Sequence, residues 1–350
     1  MQQAIVGKQY LFFDKKYGTG AIPDPKDARD LVYDSMALGA PQIDWEKGYD
    51  IEKQAKIIIP FKNQDGSSSC VGQAWSYYVA VLNAIEVGKY DEASAKAFYS
   101  QFFLPGGGAY LRNGGKLAVN WGAVTEKTVP SYNNGDPPSE SFITDKSWKN
   151  PQVDKLAQTL QAKEYRTISS QNNMDIFAAA IRDNFGVVGG VYGSNNGTWN
   201  NYEPKPPTAS DQKWGHALFF GKFGMDSKGK FIATPNSWGG RKKTTNYPDA
   251  WQKLREDYFT TGNMFNPWTL TDKPNFTMSP ETEALIKKNE KNFVIEAEGT
   301  GRKGIIINGV LRPVVQTRVA NATLYKITVD GGGVFVKTNQ YEEIPKGDNF

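Results

Sequence analysis

The sequence predicts a mixed α+β protein, and three observations carry that expectation. Apolar residues recur at helical spacing through the first half, most clearly from Val71 to Leu82. From Val187 onward the pattern turns to short apolar runs broken by Gly, Asn and Asp, which is the pattern of strands. Hydrophobic content of 39% with 13% aromatics across 350 residues is enough to bury a large core.

The elements follow in chain order. Residues 1–40 read as an N-terminal arm broken by Gly18, Gly20, Pro23 and Pro25, with a short helix expected over Asp27 to Met36. Ile57-Ile58-Ile59 reads as a buried extended segment. A helix is expected from about Ser69, capped by Ser68 or Ser69 and closed by Gly88, with Val71, Ala74, Trp75, Tyr78, Val79 and Leu82 on its buried face. Ala93 to Phe103 reads as a second helix, stopped by Pro105 and the glycines 106–108, which read as a flexible turn. Residues 133–152 read as surface loop. Met174 to Asn184 is an amphipathic helix, Val187 to Tyr192 a strand, and residues 195–212 a long loop with three prolines. The run His216 to Phe220 and the run Phe231 to Thr234 read as strands, with a hairpin turn at Asp226-Ser227-Lys228-Gly229. Beyond Ser279-Pro280 a small α+β module is expected, with a helix over Glu281 to Asn289 and strands at Phe293–Ala297, Gly304–Asn308, Leu324–Val329 and Gly333–Lys337. The expected division is therefore residues 1–40, 41–278 and 279–350.

Bulk properties exclude several classes of function. Forty-one basic against 37 acidic residues give a net charge of +4, and the one dense basic run is Arg241-Lys242-Lys243. That is too little for a nucleic-acid footprint, so no nucleic-acid partner is expected. No run approaches the apolar length of a membrane span. One Cys and one His cannot build a Cys/His zinc site, and no compact carboxylate cluster helps, so no metal or other cofactor is expected. A single cysteine forms no internal disulfide, which suits a reducing compartment. Met1 to Tyr10 lacks a secretory pattern, and a cytoplasmic or virion-associated setting is expected.

The chemistry gathers around Cys70. A thiol at a helix N-terminus meets unpaired N–H groups and the positive end of the macrodipole, both of which favour the thiolate. An isolated cysteine is more often a small buried apolar residue. Nucleophilic catalysis also needs a base and a group that orients the base. His216, the only histidine, opens a strand-like run, and Asn236 follows the next strand of the apparent hairpin. The Asn236 carbonyl can fix the imidazole tautomer, and Trp238 can shield that bond from water. Gln64, six residues before Cys70, can join the Cys70 N–H in an oxyanion hole.

In combination these residues resemble the papain-like (C1) cysteine peptidases. Asn63-Gln64 through Ser69-Cys70, Trp214-Gly215-His216-Ala217 and Asn236-Ser237-Trp238-Gly239 resemble the family's three motifs in its order, and Ile43-Asp44-Trp45 resembles the start of its mature domain. Position 216 lies 146 residues after position 70, within the papain-type range. The resemblance covers about residues 41–265. It implies two lobes, one helical and one β-barrel-like, with the site in the cleft between them. It also implies Cys70 as nucleophile, His216 as general base and acid, Asn236 as orienter and Gln64 as oxyanion donor. Gly114 and Gly115 resemble its substrate-binding glycine pair, and Trp214 and Trp238 border the substrate, with Trp214 narrowing the pocket toward small or flat side chains. The activity implied is endopeptidase cleavage of a peptide or protein substrate through an acyl-enzyme.

The sequence departs from the family in places. Val71 stands where a tryptophan usually follows the cysteine, Gly215 replaces a polar residue, and the familiar disulfides are absent. Residues 1–40 are shorter than the inhibitory propeptides of lysosomal relatives, so no conventional zymogen is expected, and the arm is expected along the surface or near the cleft. The appended module suggests a bacterial or phage-type relative whose C-terminal part binds an unknown partner. The same triad also fits a cell-wall amidase or acyl-transferase. A papain fold kept for binding or virion structure is the non-enzymatic alternative.

Overall fold

The computed structural model describes residues 19–33, 42–133, 135–168 and 170–271, and the backbone of four strands between 293 and 336. The chain divides into two compact units. One holds Met1–Tyr33 and Gln42–Pro274, and the other holds Asp34–Pro41 and Asn275–Phe350. Among the described residues no helix is long and apolar enough to cross a membrane.

The helical part of the first unit is built on the helix Cys70–Val87. The sequence pattern marks one apolar face, but Gln73, Ser76 and Tyr77 are buried too. The helix is therefore central, with partners all round, and not a surface helix with one dry stripe. Gly88 ends it in the left-handed conformation at φ 71°, its N–H donating to Ala84 O. Gly72 lets the helix Ala95–Phe102 approach closely, because a Cβ there would sit 2.7 Å from Tyr99 Cβ and 2.9 Å from Ala95 O. A third helix, Leu111–Asn120, packs on Trp75, whose Nε1 donates to Leu111 O at 2.8 Å.

The expected loop over 133–152 holds one short helix, Glu140–Thr144, and the start of another, Pro151–Ala157. Ser139 and Asn150 cap them, and Pro151 sits in the first turn of the second. Ser139, Asn150 and Pro151 therefore start helices, while the described residues of the segment outside those two helices are loop, as expected.

The β part of the first unit is dominated by two open sheets, and among the described residues no barrel closes. Five strands run in the order β2-β5-β11-β6-β7: β2 Val32–Tyr33, β5 Glu164–Ile168, β11 Met264–Thr271, β6 Val187–Gly193 and β7 Trp214–Phe220. Four run β10-β9-β8-β3: β10 Gln252–Arg255, β9 Gly229–Thr234, β8 Lys222–Asp226 and β3 Tyr49–Asp50. The turn at 226–229 is the expected hairpin, pairing Asp226 with Gly229. The helix Met174–Asn184, capped by Asn173, lays Phe177 and Ile181 into a core with Phe220, Leu254, Phe259 and Met264.

Two-residue strands tie the arm to this unit. β1, Ala21–Ile22, pairs parallel with β4, Ala109–Tyr110, and β2 pairs parallel with β5. The helix expected over Asp27–Met36 is instead a turn, with Asp30 N donating to Asp27 O, followed by β2; residues 34–36 lie outside the described residues.

In the second unit β12 Phe293–Ala297, β13 Lys303–Ile307, β14 Val310–Pro313 and β15 Gly333–Val336 form one sheet in the order β14-β13-β12-β15. Three of these match expected strands, and β14 was not expected. The expected helix 281–289 and strand 324–329 lie outside the described residues.

Gly114 provides a stability test. A Cβ there would stand 2.0 Å from Trp75 Cδ1. Alanine gains about 1 kcal/mol of helix propensity over glycine, but overpacking a fixed indole costs about 1–3 kcal/mol. Gly114→Ala is therefore expected to lower stability, read as a lower urea midpoint. An unchanged or raised midpoint would show that Trp75 can move aside.

Candidate active site

Cys70 is the first residue of its helix and is 0% exposed. Ser69 occupies the cap position, but its side chain makes no capping bond. Its hydroxyl instead pairs with Ser67 Oγ at 2.8 Å and accepts from Gln73 Nε2. Ser68 is held elsewhere, its N–H donating to Glu140 Oε2 at 2.6 Å. The expected serine cap is thus absent, and first-turn N–H groups are left for the thiol. The N–H groups of Ala217, Val71, Gly20 and Ala21 all bear on Cys70 and favour its ionised form. Burial outweighs them and pushes the thiol up to about 12. The macrodipole argument, which favours the thiolate, loses here because the thiol is fully buried.

His216 lies in the fully buried strand β7, opposite Val191 of β6. Its Nε2 is 2.8 Å from Asn236 Oδ1. Asn236 Nδ2 donates to Gln252 Oε1 at 2.5 Å, so the Asn236 oxygen is the acceptor and His216 Nε2 carries the proton. His216 Nδ1 is then the basic nitrogen, and it is buried without a hydrogen-bond partner. Burial lowers this imidazole to about 4, against the opposing Asn236 bond. In the covered site the thiol and imidazole are therefore both neutral near pH 7.

The two residues do not face each other across one hairpin, as the sequence suggests. β7 belongs to the five-stranded sheet and β9 to the four-stranded one, and Gly221 joins the two where β7 passes into β8. Asn236 follows β9 with φ 59°, a left-handed conformation that Asn tolerates. Three bonds hold it there. Its N–H donates to Thr234 Oγ1, its carbonyl accepts from Tyr77 of the cysteine helix, and Ser237 N–H donates to its side chain.

Gln64 is fully buried, with Oε1 accepting from Ser237 Oγ at 2.5 Å and Nε2 donating to Ser67 O at 3.2 Å. Its N–H donates to Ser237 O, and Gly239 N–H donates to Lys62 O, so the loops of Gln64 and Asn236 are zipped together. Trp238 stacks on His216 at 4.2 Å and 19°. Trp214 stands edge-on to the same imidazole, its Nε1 held by Asn195 Oδ1 at 3.0 Å and its ring packed over Gly193.

Gly114 and Gly115 are not part of this cluster. Both lie inside the helix Leu111–Asn120, where the Trp75 indole fills the space beside their Cα atoms. The glycines beside the cysteine loop and the arm are Gly107 and Gly108, with φ 93° and 78°. A Cβ on Gly107 would lie 3.0 Å from Ser68 Oγ, and one on Gly108 would lie 2.6 Å from Gly20 O. The sequence reading also missed Trp199 and Gln252. Trp199 stands edge-on to His216, Trp214 and Trp238. Gln252 Nε2 donates to Trp199 O and Asn201 O, which fixes the amide that orients Asn236. A tryptophan in an otherwise polar loop was the available signal for Trp199; Gln252 gave none.

The arm enters this site as well. Thr19, Gly20, Ala21 and Ile22 are buried. Gly20 N–H donates to Gly215 O at 3.1 Å and Gly20 O accepts from Ala109 N–H at 2.8 Å.

Chemically, a thiol at a helix start, a tautomer-fixed imidazole and an oriented amide suit nucleophilic acyl chemistry. Among the described residues no group of His, Cys, Asp and Glu could hold a metal ion.

No protein-family model and no curated protein matches the chain by sequence. Solved structures do match by fold. Xylellain, a cysteine protease from Xylella fastidiosa, aligns at TM-score 0.59 and 21% identity, over 75% of this chain and 98% of its own. The ragweed pollen cysteine protease Amb a 11, in its proform, aligns at 0.51 and 18%, over 69% of each chain. A procathepsin B from Trypanosoma congolense aligns at 0.52 and 12%, over 74% of this chain and 87% of its own. The protein therefore has the two-lobed α+β fold of the papain-like cysteine proteases.

Proposed function

We propose that the protein is a cysteine endopeptidase. One observation carries the reading: His216 commits Nε2 to Asn236, keeps Nδ1 unpartnered, and is followed by Ala217, whose N–H bears on the Cys70 thiol. Cys70 Sγ attacks the substrate carbonyl carbon while its proton passes to His216 Nδ1. The oxyanion takes hydrogen bonds from Cys70 N–H and Gln64 Nε2–H. The intermediate then expels the amine, which leaves with the His216 proton, and a thioester remains on Cys70. Water, deprotonated by His216, attacks the thioester and releases the acid and the free thiol. Asn236 holds the ring through both half-reactions, and the Trp238 face keeps water from that bond. The substrate backbone lies along Gly107-Gly108-Ala109, with Trp214 as one wall of the cleft.

Residues 279–350 are read as a separate partner-binding module. The match to xylellain spans nearly all of that protein but leaves a quarter of this chain outside it. The bacterial or phage-type origin belongs to the same reading, supported by a cysteine count too low for any internal disulfide.

The test is cleavage of an unfolded protein substrate by wild type and Cys70→Ala. Cleavage that disappears with the thiol supports the reading. Equal cleavage by both proteins would sink it.

A further inference from the structure

We infer that the basic run Arg241-Lys242-Lys243 walls the side of the cleft that receives the departing half of the substrate, and selects acidic side chains there. This rests on the peptidase reading and deepens it, by naming which part of which peptides the site prefers.

The run is placed from the imidazole outward. His216 hands its proton to the leaving amine, so the residues that depart pass beside its ring. Trp238 stacks on that ring at 4.2 Å, and Arg241 follows Trp238 after two glycines. Those glycines lie against the segment that leads into the Gln64 loop. Gly239 N–H donates to Lys62 O at 2.8 Å, and a Cβ on Gly240 would stand 3.0 Å from Phe61 Cδ2. Arg241 Nη2 then donates to Trp199 O at 2.7 Å, and the Trp199 ring stands edge-on to His216 at 6.2 Å. The guanidinium is therefore anchored at the rim of the site. Beyond it, Tyr202 Oη donates to Lys242 O, and Thr244 and Tyr247 close the turn with two backbone bonds of 3.1 Å.

The surroundings leave the run positive. Lys242 and Lys243 are exposed, and among the described residues neither makes an ion pair. Glu203, which follows Tyr202 in the chain, is already held by Arg255, Lys228 and Tyr247. The Gln64 loop, residues 63–69, brings one acid, Asp65, against these three cations. By contrast Gly107-Gly108-Ala109 and Trp214-Gly215, which take the other half of the substrate, are all uncharged. Charge selection thus falls on the departing half. A guanidinium offers a carboxylate a planar fork, and the two ammonium groups add point charges.

The run also bears on the chemistry. Burial is the main force that holds His216 neutral, and the Arg241 charge adds to it. A substrate carboxylate seated on the run offsets that charge while His216 carries the proton. Acidic residues are therefore expected to raise kcat as well as lower KM.

The experiment uses matched peptides, amidated at the C-terminus, with Glu or Gln at the second and third positions after the cut. Wild type is compared with a variant carrying Lys242→Glu and Lys243→Glu, both at exposed positions. In wild type kcat/KM should favour the Glu peptide about tenfold, since each exposed pair is worth a factor of up to about five. The preference should shrink as salt rises from about 0.05 M to about 0.5 M. In the variant the ratio should fall to about one or below, and a ratio taken within one protein cancels any general loss. Fluorescence anisotropy of the same peptides on Cys70→Ala, with and without the two lysine substitutions, gives the comparison without turnover. Equal cleavage of both peptides by wild type, or a preference that the variant keeps, would overturn the basic wall and leave the peptidase standing. Tighter binding of the Glu peptide that the lysine substitutions abolish, with no cleavage by wild type, would uphold the wall and defeat the peptidase reading. Equal binding without cleavage would overturn both.

Discussion

Replacing His216 by alanine is expected to lower kcat/KM for peptide cleavage by at least about a thousandfold, because one side chain supplies both proton transfers. The loss should be mainly in kcat, since His216 is buried in β7 and offers the substrate little binding surface. Asn236→Ala should cost less. It leaves the imidazole and thiol in place but removes the acceptor that holds the proton on Nε2. Part of the enzyme population then carries the proton on Nδ1, where it cannot accept from Cys70. The order of kcat should be wild type, Asn236→Ala, His216→Ala. If Asn236→Ala is the more damaged variant, Asn236 is doing more than orienting the ring. If His216→Ala keeps full activity, the base has been assigned to the wrong residue.

The residues in this test could be read from the sequence because their chemistry is singular. A chain with one thiol and one imidazole has few ways to arrange nucleophilic catalysis, and Gln64 and Asn236 sit at telling distances from them. What holds those residues could not be read in the same way. Gln252 is one amide among many, and its role comes from β10 lying beside β9, which is a tertiary fact. The glycines show the same limit. Sequence marks both 106–108 and 114–115 as glycine-rich but does not say which need positive φ and which need room for a neighbour. Gly106, Gly107 and Gly108 all have positive φ, whereas Gly114 and Gly115 yield space to Trp75. The same holds for strands. β6 and β7 are long enough to carry a pattern, but β1 and β2 have two residues each. Two residues have no period, so the segment that covers the thiol gave no signal in the sequence.

The seated arm is also expected to hold more tightly in acid than at neutral pH. Asp24 is mostly buried in the docked arm, and burial raises its carboxyl from 3.8 to about 6 against the bonds from Arg112 and Trp268. Asp30 beside it is raised as well, again chiefly by burial. The charged and titratable groups around Asp24 and Asp30 are Arg112 and Tyr165 on the body of the protein, and Asp27 and Arg29 on the arm. Arg112 is the one cation the body contributes among them, and it already binds Asp30. Asp27 is held low by Arg29, but that pair lies within the arm and persists when the arm is released, so it adds little to the balance. The sign then follows from linkage. A group whose docked pKa exceeds its free pKa stabilises docking fully below the free value, and that help is lost as pH rises through the docked value. The window is from about pH 4 to about pH 6, and a difference of about two units corresponds to about a hundredfold in the seating equilibrium. Hydrogen exchange of residues 19–25, corrected for intrinsic exchange rates, should show protection falling from pH 4 to pH 7. Asp24→Asn cannot ionise, keeps an acceptor for Arg112 and Trp268, and should lose most of that dependence while staying protected at pH 7. Protection that rises with pH in wild type, or a slope that Asp24→Asn retains, would assign the control of this arm to a different group.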